Sequence, residues 1–415
     1  MRLYTLTSDR IHATVCGTIR RSREHNVTVK GILKVGQTRA FPFYRFAGSH
    51  REIGRQFGES CADLVHRNRN LAIARLEHSV GVDREAALAN AMAFQPYVLR
   101  HAPFFDEEIQ GVAEGAGISL PEAYLLQVRA ELAAPRLDDP NTETPDECTT
   151  FALLPEATVD GSPLIGQNAD LPTFYRDIAI VAEIVPPDAP AVLMLLPAGQ
   201  ISYIGINDRG LGVFGNYLTC DGWRLGFPRY LFSRLALTHE TVDDAIAAVR
   251  SVRRASSRNL IMLDARGTAA DLETTPTRDG RLDPDRGVLA HSNHYLAADL
   301  IGEERSSPKH VRNSRVRLDR MRALLDRERG RLDVQRMQTI LRDRAGHPDT
   351  LSRMTGDDEA SDVSTVASVI AEPSAGRLWA AVGPPHEHAY RSYEFARVDI
   401  RPLAVGAIGA VGSMA

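Results

Sequence analysis

The change in hydrophobic pattern at Cys148 constrains the fold of this chain more than any other feature. Before Cys148, apolar residues recur at helical spacing, whereas after it they form short runs separated by Gly, Asn, Asp and Pro. Some of these runs flank turn signals such as Asp160-Gly161, which are typical of β-hairpins. Helical blocks stand before and between the hairpins. The pattern therefore predicts an α+β protein whose antiparallel sheets are covered by helices, and it does not fit a doubly wound parallel sheet.

Helices are predicted for much of the chain before Cys148. The first begins after Ser49, which has Glu52 at the matching position of a capping box. Further helices are predicted over residues 83–99, 103–116 and 119–132. Gly54 and Gly58 lie four residues apart in the first helix. Because each glycine in a helix interior costs about 1 kcal/mol relative to alanine, we expect another element to approach this helix closely at both positions.

Charge and cysteine content exclude several classes of protein. A net charge of −4 over 415 residues gives no strong attraction to nucleic acid or to an anionic membrane. The N-terminus lacks the apolar core of a signal peptide, and no apolar run is long enough to span a bilayer. The cysteines, Cys16, Cys61, Cys148 and Cys220, fit no zinc, redox or disulfide pattern. We therefore predict a cytoplasmic protein with no nucleic-acid or membrane partner.

Three parts of the chain are predicted. Residues 1–40 form an N-terminal extension, and residues 41–147 form a helical segment. Residues 148–415 carry the candidate nucleophile and build one composite domain with residues 41–147. No glycine-rich phosphate loop of the P-loop or Rossmann type occurs, so we predict no nucleotide cofactor and no other cofactor.

Cys148 is a candidate nucleophile because it stands at the predicted start of a core strand. A thiol at such a position is reactive when a base activates it. Our hypothesis is that the base is the α-amine of Cys148 itself, freed when the chain cuts itself between Glu147 and Cys148. The alternative is a buried structural cysteine, which is the commoner fate of a free cysteine.

Polar clusters at strand ends supply the other groups that acyl transfer needs. These clusters are Cys148-Thr149-Thr150, Gln167-Asn168-Ala169-Asp170, Asn216 and His291-Ser292-Asn293-His294. The reaction requires a nucleophile, a base and donors for an oxyanion. Cys148 offers the sulfur, and Asn293 and Asn216 each offer an amide donor. Asp170 is placed to orient the α-amine.

Several short motifs carry a resemblance to a known family. They are Gly48-Ser49-His50-Arg51-Glu52-Ile53-Gly54, Arg129-Ala130-Glu131-Leu132, Glu147-Cys148-Thr149-Thr150, Gly166-Gln167-Asn168-Ala169-Asp170, Ser257-Arg258-Asn259, His291-Ser292-Asn293-His294, Leu341-Arg342-Asp343 and Gly383-Pro384-Pro385. In this order and spacing the chain resembles the acyl-coenzyme A:6-aminopenicillanic acid acyltransferase family of N-terminal-nucleophile hydrolases. The resemblance implies a four-layer αββα sandwich with two antiparallel sheets, and self-cleavage before Cys148.

The resemblance also implies roles for single residues. Asp170 matches the acidic residue close to the nucleophile, and Asn293 matches the asparagine of the oxyanion hole. Thr150 falls where a hydroxyl assists processing, and Asn216 matches by position in related hydrolases. Ala169 stands where the family usually has Trp, so we expect a wider or reshaped pocket floor. The chain departs from the family at a second position, Arg344, where the family usually has His after Leu-Arg-Asp.

Further residues are candidates for contacting substrate. Arg258 and Arg317 can line the pocket, although a surface ion pair is as good an interpretation of Arg317. His291 and His294 lie three apart, but no third ligand with suitable spacing stands out, so we predict no zinc site. Core histidines are the alternative for both. Arg129 and Glu131 can reach the Cys148 site or lie on the surface.

Two function classes follow. The first is an autoprocessing N-terminal-cysteine amidohydrolase or acyltransferase, acting on a small N-acyl compound, a peptide or acyl-coenzyme A, with an amine as a potential acceptor. The second is a catalytically silent binding or scaffold protein of the same fold that is not cut. The combination of Cys148, Asp170 and Asn293 favours the enzyme. The oligomeric state stays open, with a homo-oligomer among the alternatives.

Overall fold

The structure, a computed structural model, describes residues 39–133, 147–357 and 362–396. Most of the predicted extension of residues 1–40, including Cys16, lies outside the described residues. The helices are α1 His50–Ser60, α2 Ala62–Val80, α3 Arg84–Met92, α4 Gln95–His101, α5 Pro103–Ala116, α6 Leu120–Leu132, α7 Leu231–Ala236, α8 Val242–Ser251, α9 Pro308–Glu328 and α10 Val334–Leu341. None of these helices is long and apolar enough to cross a membrane.

The strands lie mostly after Glu147, and many of them pair with the next strand of the chain as hairpins, as the sequence predicts. They are β1 Phe43–Ala47, β2 Glu147–Leu153, β3 Leu164–Pro172, β4 Ala179–Val185, β5 Val192–Pro197, β6 Ile204–Asn207, β7 Gly212–Asn216, β8 Arg258–Leu263, β9 Ala269–Thr274, β10 Asp279–Leu282, β11 Val288–His291, β12 Val363–Glu372, β13 Arg377–Val382 and β14 Arg391–Glu394. The short polar strand β10 is missing from the prediction, because its sequence Asp-Gly-Arg-Leu has no apolar alternation.

Two sheets form from these strands. One has eight strands in the order β1-β4-β5-β6-β7-β8-β9-β10, and the other has six in the order β11-β2-β3-β12-β13-β14. All neighbours are antiparallel except β1 and β4, which pair in parallel and correct the prediction of purely antiparallel sheets. Parallel neighbours need a long crossover, and helices α1 to α6 with strands β2 and β3 lie between these two strands along the chain.

The sheets pack face to face with helices on both outer sides. Strands β2 and β3 contact β7 and β8 of the other sheet. Helices α9 and α10 cover the six-stranded sheet, while α7 and α8 contact the eight-stranded one. Each sheet therefore buries one face against the other sheet and one against helices. This arrangement confirms the predicted αββα sandwich.

The sequence predicts where helices begin better than it predicts whether a helix is continuous. Ser49 accepts a hydrogen bond from the Glu52 backbone, and both halves of the capping box are present. The segment predicted as one helix over residues 83–99 is instead two, since α3 ends at Met92 and α4 restarts with Pro96 in its first turn. Proline has no backbone N–H, so it fits a helix start better than a helix interior.

The glycines of α1 allow contact with α5 at backbone distance. A Cβ added to Gly54 would lie 2.0 Å from the Glu108 carbonyl oxygen, and one added to Gly58 would lie 2.5 Å from the Ala116 nitrogen. Gly111 of α5 meets α1 in the same way, at 2.3 Å from the Arg51 carbonyl oxygen. The predicted close approach is therefore confirmed, and α5 is the element involved.

Substituting Gly54 tests this contact. We expect Gly54→Ala to lower the free energy of unfolding by about 1–3 kcal/mol, because overpacking outweighs the better helix propensity of alanine. Urea unfolding measures the change. Gly302→Ala is the matched control, since nothing lies within 4 Å of a Cβ at that position. Equal stability of the two variants would contradict the close packing.

Candidate active site

Cys148 lies near the start of β2, on the face that looks toward the other sheet. Opposite residues of antiparallel strands share a face, and Cys148 pairs with Ala169 of β3. Thr150 and Gln167 form the next pair on that face, and both bond to β7. Cys148 is 2% exposed in the continuous chain. The sulfur therefore points into the space between the two sheets.

The backbone of Cys148 is held on both sides. Its N–H donates to Asn293 Oδ1 at 2.7 Å. Its carbonyl oxygen accepts from Arg317 Nη1 at 2.7 Å, Asn216 Nδ2 at 3.0 Å and Ser292 Oγ at 3.2 Å. Side chains from β7, α9 and the segment after β11 thus fix the two peptide units that flank the Cys148 Cα. Buried backbone groups with this many partners have little freedom to move.

Arg317 is the cation of the site. It is 0% exposed, so the interpretation as a surface ion pair is wrong. Besides the Cys148 carbonyl oxygen, its guanidinium donates to Thr149 Oγ1 at 2.8 Å, Asn293 Oδ1 at 3.0 Å and Asn313 Oδ1 at 2.8 Å. The fork geometry of arginine makes these simultaneous bonds possible. Arg317 therefore links α9 to the main chain at the nucleophile and to Asn293.

Asn293 and Asn216 have different bonds in the continuous chain. The Asn293 oxygen accepts from the Cys148 nitrogen, and its Nδ2 donates to the Tyr217 carbonyl oxygen at 3.1 Å. Asn216 Oδ1 accepts from Thr150 Oγ1 at 2.8 Å and from Asn259 Nδ2 at 2.9 Å. That pair of bonds aims Asn216 Nδ2 at the Cys148 carbonyl oxygen. Both predicted amide groups are thus adjacent to Cys148.

Gln167 is a neighbour of the sulfur to which the sequence assigns no role. Its Nε2 lies 3.6 Å from Cys148 Sγ, and its Oε1 accepts from the Gly215 backbone at 3.1 Å. The available signal is strand alternation, because Gln167 lies two residues from Ala169, the strand partner of Cys148. Ser292 is another residue to which the sequence assigns no role of its own, and it donates to the Cys148 carbonyl oxygen.

Glu147 faces the opposite side of β2, toward α9. Its carboxylate pairs with His310 Nδ1 at 3.1 Å and with the Arg353 guanidinium. Burial lowers the pKa of His310 to about 4, with the charge of Arg317 acting in the same direction. Glu147 is therefore buried and ion-paired on the N-terminal side of the bond that we predict to be cut.

Asp170 lies directly across from Glu147 in the hairpin. Its Oδ1 accepts from Thr365 Oγ1 at 2.6 Å, and its Oδ2 has no hydrogen-bond partner among the described residues. Burial raises the pKa of Asp170 to about 7, although the positive charge of Arg317 opposes the rise. This carboxyl can therefore gain or lose a proton near neutral pH.

The pKa of Asp170 links the stability of the fold to pH. A carboxyl whose folded pKa is raised binds its proton more tightly in the folded state, so its contribution is present below about pH 4 and is lost as pH rises toward 7. The full loss is on the order of 4 kcal/mol, of which about 2.6 kcal/mol falls between pH 5 and pH 8. Unfolding in urea at these two pH values measures that part. We expect Asp170→Asn to show a smaller pH dependence than wild type and than the exposed control Asp299→Asn; an unchanged dependence would contradict the assignment.

The two histidines after β11 have partners away from the sulfur. His291 Nε2 bonds to Glu273 Oε1 at 2.7 Å and its Nδ1 to the Ser292 carbonyl oxygen at 2.6 Å, so both ring nitrogens are engaged. Burial lowers its pKa, but the charges of Asp271 and Glu273 more than compensate and raise it. His294 Nδ1 bonds to Ser314 Oγ at 2.7 Å, and burial lowers its pKa to about 3. Both are better described as core histidines.

Arg258 and Ala169 both lie near the nucleophile. Ala169 lines a small apolar cavity together with Leu171, Tyr175 and Tyr203. The reshaping of a pocket floor at Ala169 stays a prediction. Arg258 is buried behind Gly215.

Arg129 and Glu131 both lie near Arg229. The sequence leaves a surface location open for them, and the structure does not place Arg129 there. Arg129 is buried and stacks between Tyr175 and Tyr230. Glu131 Oε1 accepts from the Arg229 backbone at 2.8 Å.

Comparisons with known proteins identify the family of this chain. The sequence profile of the acyl-coenzyme A:6-aminopenicillanic acid acyl-transferase family matches residues 157–387, a range that contains Asp170, Asn216 and Asn293. The 40 kDa form of acyl-coenzyme A:6-aminopenicillanic-acid-acyltransferase from Emericella nidulans is 29% identical over 252 residues, covering 60% of this chain and 68% of the relative.

Two solved structures are also similar. A conjugated bile acid hydrolase from Clostridium perfringens has a TM-score of 0.39 at 14% identity, with 60% of this chain and 97% of that one covered. A penicillin V acylase from Agrobacterium tumefaciens has a TM-score of 0.38 at 14% identity, with 57% and 83% covered. Because the family profile spans more than half of the sequence, the chain belongs to the acyl-coenzyme A:6-aminopenicillanic acid acyl-transferase family.

Proposed function

We propose that this protein cuts itself between Glu147 and Cys148 and then acts as an N-terminal-cysteine amidohydrolase or acyltransferase. Its substrate would be a small N-acyl compound, a peptide or an acyl-coenzyme A thioester. Family membership supports an enzyme of acyl chemistry, and the relative from Emericella nidulans is named an acyltransferase. The hydrogen bond of 2.7 Å from the Cys148 nitrogen to Asn293 Oδ1 carries the proposal, because this nitrogen becomes the α-amine after cutting.

The cut proceeds as an acyl shift from nitrogen to sulfur. Cys148 Sγ attacks the Glu147 carbonyl carbon, the C–N bond breaks, and the nitrogen takes the thiol proton. Water then hydrolyses the resulting thioester, which leaves a carboxylate on Glu147 and a free thiol on Cys148. Asn293 holds the departing nitrogen, and Arg317 with Asn216 holds the carbonyl group of Cys148 in place. These bonds align the reacting groups before the reaction.

The same thiol then attacks the substrate. A cysteine thiol with a pKa near about 8.5 and an α-amine near about 7.7–8.0 are matched closely enough to share a proton at neutral pH. The amine accepts the thiol proton during attack and returns it to the leaving group. Water or an acceptor amine then takes the acyl group from sulfur. Gln167 Nε2 lies 3.6 Å from the sulfur. Asn293 Nδ2 carries two N–H groups, of which one donates to the Tyr217 carbonyl oxygen, so the other can serve as an oxyanion donor.

The burial of Cys148 in the continuous chain determines how the proposal is tested. At 2% exposure the sulfur is not open to substrate, so turnover requires the cut protein. We would therefore incubate cut protein with N-acyl amino acids, short N-acyl peptides and acyl-coenzyme A, each with and without an added amine. Release of amine or coenzyme A supports the enzyme, and transfer to the added amine distinguishes transferase from hydrolase. A protein that stays uncut and turns over none of these compounds belongs to the binding class instead.

A further inference from the structure

One buried carboxylate, that of Glu273 on β9, holds both ends of the segment that follows β11. Its Oε1 lies 2.7 Å from His291 Nε2 and accepts from the Leu296 backbone N–H at 2.6 Å. Its Oε2 accepts from the Ala297 backbone N–H at 3.0 Å. Glu273 is 0% exposed. A side chain of the eight-stranded sheet therefore fastens residues 291–297, which extend from a strand of the six-stranded sheet.

His291 has two ring nitrogens that both face oxygen atoms. Nδ1 lies 2.6 Å from the Ser292 carbonyl oxygen, and Nε2 lies 2.7 Å from the Glu273 carboxylate. A carbonyl oxygen can only accept, and a carboxyl group that accepts from two backbone N–H groups is held in its ionised form. A neutral imidazole carries one N–H, whereas the imidazolium carries two. Two donated bonds therefore need the imidazolium form of His291, which is 0% exposed.

Two carboxylates surround the ring of His291. Asp271 lies two residues before Glu273 on β9, so both side chains point to the same face, and both are 0% exposed. Burial lowers the pKa of His291, but the charges of these carboxylates raise it above its ordinary value. Among the other charged and titratable neighbours, Arg322 on α9 acts on Asp271, and His294 lies three residues along the same segment. The ring therefore keeps its proton at pH values where an ordinary histidine is mostly neutral.

His294 is in the opposite state from His291. Its Nδ1 lies 2.7 Å from Ser314 Oγ. Burial lowers the pKa of His294 to about 3, and the charge of His291 acts in the same direction. The ring is therefore neutral, and its Nδ1 accepts from the Ser314 hydroxyl, whose oxygen accepts from the Asn293 backbone at 2.6 Å. Of the two histidines, His291 is the one that carries charge.

The residues between the bonds of Glu273 contact the nucleophile. Ser292 Oγ donates to the Cys148 carbonyl oxygen at 3.2 Å, and Asn293 Oδ1 accepts from the Cys148 nitrogen at 2.7 Å. His291 comes immediately before this pair in the chain. A change at His291 therefore reaches the Cys148 backbone through two residues of its own segment.

We propose that His291 is a positioning residue and that it works as an imidazolium paired with Glu273. In this form it holds Ser292 and Asn293 against the Cys148 backbone. The inference rests on the proposed function and adds to it a group outside the reacting atoms. When hydroxide removes the ring proton as water, one nitrogen faces its oxygen with a lone pair in place of an N–H, and the segment shifts. A misplacement of about 1 Å at an active site costs about 100-fold in rate, so reactions at Cys148 should slow once His291 is neutral.

Nitrogen-15 NMR of histidine side chains in the Cys148→Ala chain reads the charge of His291 without any need for cutting or turnover. At pH 7.5 we expect the His291 ring to have both nitrogens protonated, a signal that disappears in His291→Gln and persists in His50→Gln. His50 is the matched control, because it also pairs with a carboxylate, that of Asp188 at 2.9 Å. Where His291→Gln does not fold, Glu273→Gln identifies the same signal by moving its titration to lower pH. A His291 ring with one bare nitrogen at pH 7.5 would overturn the inference.

The pH profile of the cut protein separates positioning from a general structural role. With an N-acyl amino acid as substrate, we expect kcat of wild type to fall about 100-fold at high pH. Glu273→Gln keeps the size of the side chain but removes its charge, so it should move this fall to lower pH by about one unit or more, with KM nearly unchanged. His50→Gln should keep the wild-type profile. The same profile in wild type and Glu273→Gln would overturn the inference and leave the proposed function intact.

A wild-type protein that turned over no N-acyl compound would count against the proposed function, and hydrogen–deuterium exchange would then decide the inference. Glu273→Gln in the Cys148→Ala chain should speed exchange of the backbone amides of residues 292–297, because the bonds that hold this segment weaken. Exchange no faster than in the Cys148→Ala parent would overturn the inference.

Discussion

Replacing Cys148 with alanine is expected to leave the chain uncut between Glu147 and Cys148 and to remove acyl turnover. Both reactions use the same sulfur, so a single atom change should stop both. In a serine protease, loss of the nucleophile costs about a million-fold in kcat, and we expect a loss of comparable size. Denaturing gel electrophoresis measures cutting, and amine release from N-acyl substrates measures turnover.

A second buried cysteine provides the control for this substitution. Cys220 is buried and free, and it packs with Leu218 and Tyr295 away from the Cys148 network. Cys220→Ala should cut and turn over as wild type does, apart from a modest loss of stability from the cavity. Turnover that persists in Cys148→Ala, or that is lost equally in Cys220→Ala, would show that the sulfur of Cys148 is not the nucleophile.

Replacing Arg317 with methionine is the second substitution with a large expected effect. Methionine keeps much of the apolar stem but removes every donor, which leaves the buried oxygens of Cys148, Thr149 and Asn293 without the Arg317 bonds. Losing a buried hydrogen bond from a charged donor costs about 1.5–3 kcal/mol. We expect a free energy of unfolding reduced by that amount, and self-cleavage at least about 100-fold slower, because 2.7 kcal/mol of lost alignment is already a hundredfold in rate.

Arg320 lies one helical turn from Arg317 on α9 and serves as its control. It is partly exposed and pairs with Asp343 at 2.6 Å. Surface pairs of this kind contribute about 0–1 kcal/mol, so Arg320→Met should be close to wild type in stability and in cutting. Circular dichroism checks that both variants are folded. If Arg317→Met matched Arg320→Met in both measurements, the bonds around the Cys148 carbonyl group would have no role in cutting.

The sandwich could be predicted from the sequence because short local patterns specify its hairpins and helix starts. The hairpin β2–β3 follows from two apolar runs around Asp160-Gly161, and the start of α1 follows from Ser49 and Glu52. The parallel pairing of β1 with β4 was not accessible, because no local turn specifies it and the strands are far apart in the chain. Long-range pairing depends on which edge remains free after the hairpins form.

Some residues of the candidate site could likewise be predicted from local sequence patterns, whereas others depend on long-range packing. Cys148, Asn216 and Asn293 are visible in the sequence as polar residues at strand ends, and in the structure both asparagines bond to the Cys148 backbone. Arg317 is different, because its spacing on a charged helix fits a solvated face equally well. Its bond to the Cys148 carbonyl oxygen joins residues 169 positions apart. Only the packing of α9 on β2 reveals that this arginine is buried.

The sequence also does not show which charged side chains are buried without an oppositely charged partner. Arg229 and Arg258 look like ordinary arginines of an arginine-rich chain. Their burial against Tyr230, and the absence of a carboxylate partner within the described residues, emerge only from the fold. The pKa of Asp170, about 7, has the same origin, since burial on β3 between its neighbours β2 and β12 raises it.

The mass of the purified protein tests the central claim most directly. Intact-mass spectrometry with N-terminal sequencing shows whether the wild-type chain is cut and where. The account predicts two fragments, of which the larger begins at Cys148 with a free α-amine, and a single uncut chain for Cys148→Ala. A wild-type chain that remains whole, or a cut at any other peptide bond, would contradict it.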